Sequence, residues 1–122
     1  MDRPALIIVS GAAGTGKTAI GQHLATELQV PYLGKDFTKK SLFDSLGIAD
    51  RSWSMKLGFA TIELLFKLVD SHLRLGQSVI AESNFRVDLD VPRFELMREK
   101  HSFTTIEVRC KTDWDILYPR LI

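Results

Sequence analysis

The sequence predicts an α/β fold, in which a parallel β-sheet is covered by helices on both faces. Short apolar runs alternate along the chain with longer segments whose apolar residues recur every three or four positions, as in strands and amphipathic helices. The first three strand-like runs are apolar, which is typical of strands buried on both sides. A glycine-rich segment follows the first of these runs directly. Since strand–helix–strand crossovers are right-handed, few topologies remain for such a sheet.

The bulk composition is that of a single small domain, residues 1–122. This length is enough for one hydrophobic core, and 45% hydrophobic and 25% charged residues are ordinary globular values. A net charge of +1 gives no electrostatic reason for nucleic acid or an anionic membrane to be an obligatory partner. The single cysteine, Cys110, excludes an internal disulfide and is interpreted as a buried structural thiol. Because the sequence has no signal peptide and no membrane-spanning run, we expect a cytoplasmic protein.

The first half of the chain is predicted to form two strands and two helices. The first strand covers Leu6–Val9, and a helix over residues 16–28 follows it until Pro31 ends the segment. A very short second strand at Tyr32–Leu33 precedes a short helix near Thr38–Leu46. The apolar face of the first helix consists of Ile20, Leu24 and Leu28.

A long amphipathic helix is predicted next, capped by Ser52 or Ser54 and ended by Gly76. Trp53, at its start, is interpreted as a core aromatic or helix staple, with stacking on a substrate ring as the alternative. The stripe that should pack on the sheet consists of Phe59, Ile62, Phe66, Val69 and Leu73, widened by Leu57, Leu64, Leu65 and Leu68.

The last part of the chain continues the alternation. Val79–Ala81 is predicted to be the third strand, followed by a loop over residues 82–90. Pro92 suits the first turn of a helix that continues to Lys100, and Phe103–Val108 is predicted to be the fourth strand. A final helix is expected to begin at a cap formed by Thr112 or Asp113.

Directly after the first strand lies a complete phosphate-binding loop of the form G-x-x-x-x-G-K-[ST]. Its glycines permit backbone angles that turn successive N–H groups toward an anion, and the following helix points its positive end at the same place. Its lysine reaches the β- and γ-phosphates of a nucleotide, and its threonine hydroxyl is a ligand for Mg²⁺. An ordinary glycine-rich turn is disfavoured by the strand before the loop and the helix after it. The eight residues are Gly11, Ala12, Ala13, Gly14, Thr15, Gly16, Lys17 and Thr18.

Polar and charged residues follow each of the other predicted strands. Ligands of open parallel sheets bind beyond the carboxyl ends of the strands, so these residues should gather around the phosphate loop. The segments are Gly34–Lys39 after the second strand, Glu82–Arg86 after the third, and Arg109, Lys111 and Asp113 after the fourth. The sequence therefore predicts a phosphoryl-transfer site at this edge.

These residues together resemble the small P-loop kinases of the adenylate-kinase-like fold, the group of polynucleotide 5′-kinase, chloramphenicol phosphotransferase, and gluconate and shikimate kinases. The resemblance implies a P-loop NTPase sheet of order 2-3-1-4, with ATP and Mg²⁺ as cofactors. It implies that Asp36 is the base for the acceptor hydroxyl, with Lys39 as the basic residue that follows it. It also implies that the motif containing Glu82 and Asn84 faces a metal-bound water and the acceptor.

The same resemblance implies elements beyond those found in these 122 residues. Members of the group continue into an arginine-bearing lid, a final helix and a fifth strand, and only Arg120 matches the first lid arginine. The fourth strand would then be a sheet edge, which predicts that this form either pairs Phe103–Val108 with another chain or is poorly soluble alone, and that its turnover is weak.

Several candidate site residues also have a purely structural interpretation. Asp36 is also compatible with a helix-capping or turn residue, and Glu82 with a solvent-exposed strand end. Arg86 is either a clamp for the substrate or an ordinary surface residue. The three histidines lack metal-ligand spacing and are interpreted as structural: His23, His72 and His101.

The sequence thus predicts an ATP-dependent kinase whose acceptor is a small hydroxyl compound or a nucleic-acid 5′-hydroxyl end. A nucleotide-binding ATPase or switch module without an acceptor is the alternative. A third possibility is a phosphate-binding form that is inactive without its lid.

Overall fold

A computed structural model of the chain describes residues 3–12 and 14–111. The predicted last helix, its caps Thr112 and Asp113, and the lid residue Arg120 lie outside the described residues. Within them, strands and helices follow in the order β1 (Ala5–Ser10), α1 (Lys17–Leu28), β2 (Tyr32–Gly34), α2 (Lys35–Leu46), α3 (Arg51–Arg74), β3 (Val79–Glu82), α4 (Val87–Lys100) and β4 (Thr104–Arg109).

The strands form one parallel sheet in the order β2-β3-β1-β4, which confirms the predicted topology. In the register of the sheet, Leu6 of β1 lies opposite Val79 of β3 and Thr105 of β4. Because β1 and β3 are the inner strands, the residues that follow both of them end side by side at one edge. That edge carries the phosphate loop and the segment after Glu82.

The two faces of the sheet are covered by different helices, as predicted. Alternate residues of β1 and β3, such as Leu6 and Val79, pack against α3 and α4 through Phe66 and Met97. The residues between them face α1, where Ile7, Val9 and Ile80 contact Leu24 and Ala25. Burying a Leu, Ile or Val side chain contributes about 1.5–3 kcal/mol, so the inner strands are a stable platform for the site.

Both helices near the site begin earlier than the sequence predicted. Helix α2 starts at Lys35, directly after β2, instead of near Thr38. Helix α4 starts at Val87, and the prediction that Pro92 lies in its first turn is wrong, since Pro92 lies inside the helix. The Asp90 carboxylate accepts a hydrogen bond of 2.6 Å from the N–H of Arg86, which closes the start of α4 before the proline.

Helix α3 also differs in detail from its prediction. Its cap is Asp50, which accepts a hydrogen bond of 2.9 Å from the N–H of Trp53, and not a serine. The Trp53 indole donates to the carbonyl of Gly47 at 2.9 Å and so ties α3 to the end of α2, which supports its structural interpretation.

The predicted apolar stripe of α3 is only partly buried. Phe66, Val69 and Leu73 lie in the core, but the Phe59 side chain is 73% exposed. Phe59 lies in the third turn of α3, where it lines a cavity instead of the sheet. Its assignment to the core stripe is therefore wrong, and the exposed ring needs another explanation. None of the helices in the described residues is long and apolar enough to span a membrane.

Candidate active site

The phosphate loop is a compact turn between β1 and α1. Gly11, Gly14 and Gly16 have φ angles of 149°, 82° and 86°, in the region that side chains other than hydrogen disfavour. The Thr15 hydroxyl donates a hydrogen bond of 2.6 Å to the carbonyl of Ala12 and holds the turn closed. Ala13 lies outside the described residues.

Two glycines of the loop differ in the space around them. A Cβ at Gly11 would lie 2.6 Å from the carbonyl oxygen of Cys110, because β1 and β4 come together there. A Cβ at Gly16 would meet nothing within 4 Å, so space is open beside the start of α1. Cys110 itself is buried, as predicted, and burial raises the pKa of its thiol.

The start of α1 presents positive charge to this open space. Gly16 caps the helix without any side-chain hydrogen bond, so its first N–H groups are available to an anion. Lys17 is the first residue of the helix and is partly exposed. Its ammonium makes no hydrogen bond or ion pair with residues 3–12 or 14–111. Loop, helix end and lysine together form a cradle suited to phosphate groups.

Beside the cradle, a buried carboxylate joins α1, β2 and β3. Glu82 is only 1% exposed, and its Oε1 accepts hydrogen bonds from the hydroxyls of Thr18 at 2.7 Å and Tyr32 at 2.6 Å. Its Oε2 is buried and has no hydrogen-bond partner among the described residues. An unpartnered buried carboxylate oxygen is costly unless something else binds it.

The oxygen atoms around Glu82 fit a Mg²⁺ ion. Because the Thr18 hydroxyl gives its hydrogen to Glu82, its lone pairs are left for a cation, and Oε2 is left for a water bound to that cation. The described residues contain no group of three His, Cys, Asp or Glu side chains that could hold a metal alone. Mg²⁺ commonly takes one or two protein ligands and completes its shell with water and substrate phosphates.

Sequence reasoning missed Tyr32, which it assigned only to a short strand. The ring of Tyr32 fits against two glycines: a Cβ at Gly21 would lie 2.6 Å from its ring, and one at Gly34 would lie 2.6 Å from its hydroxyl. Burial, followed by the hydrogen bond and the negative charge of Glu82, raises the pKa of Tyr32. Tyr32 therefore stays protonated and remains a hydrogen-bond donor. The only sequence signal was a glycine in the middle of a helix, which indicates a close contact.

Two cavities open at the same sheet edge. The P-loop cavity, of about 420 Å³, is lined by Ser10, Gly11 and Ala12 of β1 and the phosphate loop, and by Arg109 of β4. The α3–α4 cavity, of about 410 Å³, is lined among others by Lys35, Gly58, Phe59, Ile62, Glu63, Leu89 and Arg93. Asn84, Arg86 and Asp90 line both cavities and so join them.

The predicted acceptor-binding residues are found in two separate places. Asn84 and Arg86 lie between the cavities, and Asn84 accepts a hydrogen bond of 3.1 Å from the Lys35 ammonium. Asp36 lies exposed in the first turn of α2, and Lys39 lies one turn further along that helix. These two residues share a different cleft and line neither of the two cavities. Asp90 is the buried carboxylate that sequence reasoning placed in a loop and did not select.

Comparison with known proteins identifies the fold around this site. A protein-family model described as an AAA domain, AAA_33, matches residues 6–122. A candidate kinase from Chloroflexus aurantiacus is 46% identical, with a TM-score of 0.94, and the match covers 99% of this chain and 66% of that one. No curated protein matches the sequence.

Two more distant structures share the fold. A gluconokinase from Sinorhizobium meliloti is 15% identical with a TM-score of 0.61, over 99% of this chain and 65% of that one. The APS kinase of Mycobacterium tuberculosis is 18% identical with a TM-score of 0.60, over 92% of this chain and 78% of that one. The chain thus spans just under two thirds of the length of the Chloroflexus protein and of the gluconokinase.

Proposed function

This chain belongs to the AAA_33 family of P-loop kinase-like domains, and we propose that it transfers the γ-phosphoryl group of ATP to a hydroxyl group of an acceptor. The observation that carries the proposal is the pairing of an open phosphate cradle with the buried carboxylate of Glu82, whose Oε2 has no partner among the described residues. A glycine-rich turn without a ligand would have no need of that costly arrangement.

The positions of the cradle residues support the roles that we propose for them. Backbone N–H groups of residues 11–18 and the Lys17 ammonium bind the phosphates, and they stabilise charge that develops during transfer. Thr18 holds Mg²⁺, and Glu82 orients the Thr18 hydroxyl and accepts a hydrogen bond from metal-bound water. When bound, Mg²⁺ neutralises charge on the phosphate oxygens.

On the acceptor side, Asp36 is proposed as the group that accepts the hydroxyl proton. Lys39, Asn84 and Arg86 are proposed to contact the acceptor, and Arg120 to neutralise charge on the transferred group. Asp90 is a less suitable base, because its carboxylate already holds the N–H of Arg86 at the start of α4.

An acceptor-independent ATPase or switch is the second candidate. The observation that favours it is the exposed position of Asp36, in a cleft separate from both cavities. A kinase of this type needs its base next to the γ-phosphate.

Release of ADP, measured with and without a panel of hydroxyl compounds, separates the two functions. The panel includes sugars, nucleosides, hydroxylated antibiotics and oligonucleotides with a 5′-hydroxyl end. A kinase releases ADP in proportion to phosphorylated acceptor, which mass spectrometry detects as the added phosphoryl group. Steady ADP release that no acceptor stimulates would support the ATPase.

A further inference from the structure

We infer that the α3–α4 cavity binds an acceptor that combines an apolar ring with an anionic group. This inference rests on the proposed kinase function, because it names the class of molecule that would receive the phosphoryl group. It is carried by three features of the cavity: its position, its apolar wall and its unbalanced positive charge.

The cavity lies where a bound molecule can reach the phosphate loop. Asn84 and Asp90 line both this cavity and the P-loop cavity, so the two spaces meet at these residues. A volume of about 410 Å³ is within the range of small-molecule sites. A ring-sized molecule in the α3–α4 cavity can therefore extend a hydroxyl past Asn84 toward Gly11 and Ala12 of the phosphate loop. Asp36 and Lys39, in contrast, line a different cleft.

Part of the wall that α3 and α4 contribute to the cavity is apolar. It consists of Phe59 and Ile62 of α3 and Leu89 of α4, and the Phe59 and Leu89 side chains are 73% and 56% exposed. The ring pairs among the described residues join Phe66, Phe85 and Phe94, and the Phe59 ring takes part in none of them. An exposed aromatic face beside apolar side chains favours a flat ring at this part of the wall.

The two acidic groups of the cavity are held by hydrogen bonds within the protein. Glu63 accepts hydrogen bonds of 2.6 and 3.1 Å from the Arg93 guanidinium, which also lies 4.1 Å from the centre of the Phe66 ring. Asp90 accepts a hydrogen bond from the backbone N–H of Arg86 and keeps its negative charge. The lining as a whole is nevertheless positive, because three cations, Lys35, Arg86 and Arg93, stand against two carboxylates.

One cation of the cavity has no acidic partner. The Lys35 ammonium bonds only to the neutral amide oxygen of Asn84, at 3.1 Å, within the described residues. A carboxylate or another anionic group on the acceptor would complete this interaction. The cavity thus offers a ring-binding wall at one side and a positive charge at the other.

A matched set of probes tests both features. Binding to the unliganded chain is measured by calorimetry or NMR titration for para-hydroxymethyl benzoate, para-hydroxymethyl benzyl alcohol and para-hydroxymethyl benzylamine. These share the ring and one hydroxymethyl group, and their other para substituent is anionic, neutral and cationic in turn. Gluconate supplies the anion without the ring. We expect the benzoate to bind most tightly, the neutral alcohol about 10-fold more weakly, and the amine and gluconate more weakly still.

Paired variants locate the binding. Lys35→Met should weaken benzoate binding about 10-fold and leave the neutral alcohol within about 2-fold, because only a charge contact is lost. Phe59→Ala should weaken both ring probes about 3- to 10-fold. The controls are Lys40→Met and Phe37→Ala, an exposed lysine and a 72% exposed phenylalanine that do not line this cavity, and they should change nothing.

The following results would each overturn the inference. Equal binding of the three ring probes would remove the charge preference, and gluconate binding as tightly as the benzoate would remove the ring preference. Absence of benzoate binding, or its loss in the control variants, would remove the cavity as the site. Because no nucleotide is present in these titrations, failure here is separate from failure of the proposed kinase function, which ATP binding and ADP release test independently.

Discussion

The nucleotide side and the acceptor side of the candidate site are built in different ways. On the nucleotide side, Thr18, Tyr32 and Glu82 come from three elements and are joined by short hydrogen bonds around a carboxylate that is 1% exposed. On the acceptor side, Asp36 is exposed in the first turn of α2, and its carboxylate makes no hydrogen bond with the described residues. The hydrogen bonds around Glu82 are formed without a ligand, whereas any contact of the Asp36 carboxylate has to come from a bound molecule.

This difference separates binding from turnover. Residues on the nucleotide side should affect affinity for ATP and Mg²⁺ directly. Asp36 should affect only the chemical step, because it has no place in the cradle. The following substitutions test that separation, and they run from the largest expected effect to the smallest.

Asp36→Asn tests the acceptor side. If Asp36 is the base, turnover with the best acceptor of the panel should fall by roughly 10²–10⁴ because the amide cannot accept the hydroxyl proton. ATP binding, measured by calorimetry, should be nearly unchanged. Asp44→Asn, which removes an exposed carboxylate paired with Lys40 on the same helix, is the control and should keep full turnover. Undiminished turnover in Asp36→Asn would exclude Asp36 as the base and would favour the switch.

Lys17→Ala tests the nucleotide side. Loss of one charge-assisted contact to the phosphates, on the order of 2–3 kcal/mol, should lower ATP affinity roughly 30- to 150-fold. Calorimetric titration with ATP and Mg²⁺ measures the change. Lys67→Ala, an exposed lysine on α3, should bind ATP as the parent chain does. Unchanged affinity in Lys17→Ala would mean that this loop does not hold a triphosphate.

Tyr32→Phe tests whether the buried hydrogen bonds tune the metal site. Without the phenol hydroxyl, Glu82 loses one donor and holds Thr18 less firmly, so the Mg²⁺ concentration needed for half-maximal MgATP binding should rise about 10-fold. ATP binding without Mg²⁺ should stay the same.

Trp53→Phe is the control for Tyr32→Phe, since it removes a hydrogen bond of 2.9 Å far from Glu82. A purely structural role for Tyr32 would lower stability without changing the Mg²⁺ dependence. Equal Mg²⁺ titrations for the parent chain and Tyr32→Phe would therefore assign Tyr32 to the core alone.

The sheet edge gives the smallest expected effect. Within the described residues β4 pairs only with β1, and Ile106 on β4 is 47% exposed. An open strand edge with an apolar side chain favours pairing with another chain, so weak self-association is expected. Ile106→Lys should reduce it, as measured by light scattering over a range of concentrations. An unassociated parent chain at every concentration would contradict this prediction.

The fold was largely predictable because its signals are local. The alternation of apolar runs and amphipathic segments predicted a parallel sheet with helices on both faces, and the motif at residues 11–18 predicted its phosphate loop. Each depends on residues that are neighbours in the sequence. The order of the strands came from the family resemblance, and the structure has the same order.

The predictions that failed were decided by contacts between distant residues. The helix periodicity of α3 is the same for Phe59 as for Phe66, yet only Phe66 meets the sheet, since Phe59 lies nearer the start of the helix beside the cavity. Likewise, α3 begins at a cap formed by Asp50, and the backbone N–H of Arg86 before α4 is bound by Asp90 of the first turn, although serines and a proline were the stronger local signals.

By itself, then, the sequence determined the secondary-structure alternation, the phosphate loop and the family, because backbone preferences and hydrophobic periodicity act over a few residues. Only the tertiary structure decided that Tyr32 reaches Glu82 across 50 positions of the chain, and that Asp36 and Asn84 lie in different clefts. The reason is physical: a hydrogen bond between strands depends on how the sheet and helices pack, and packing is a property of the whole core.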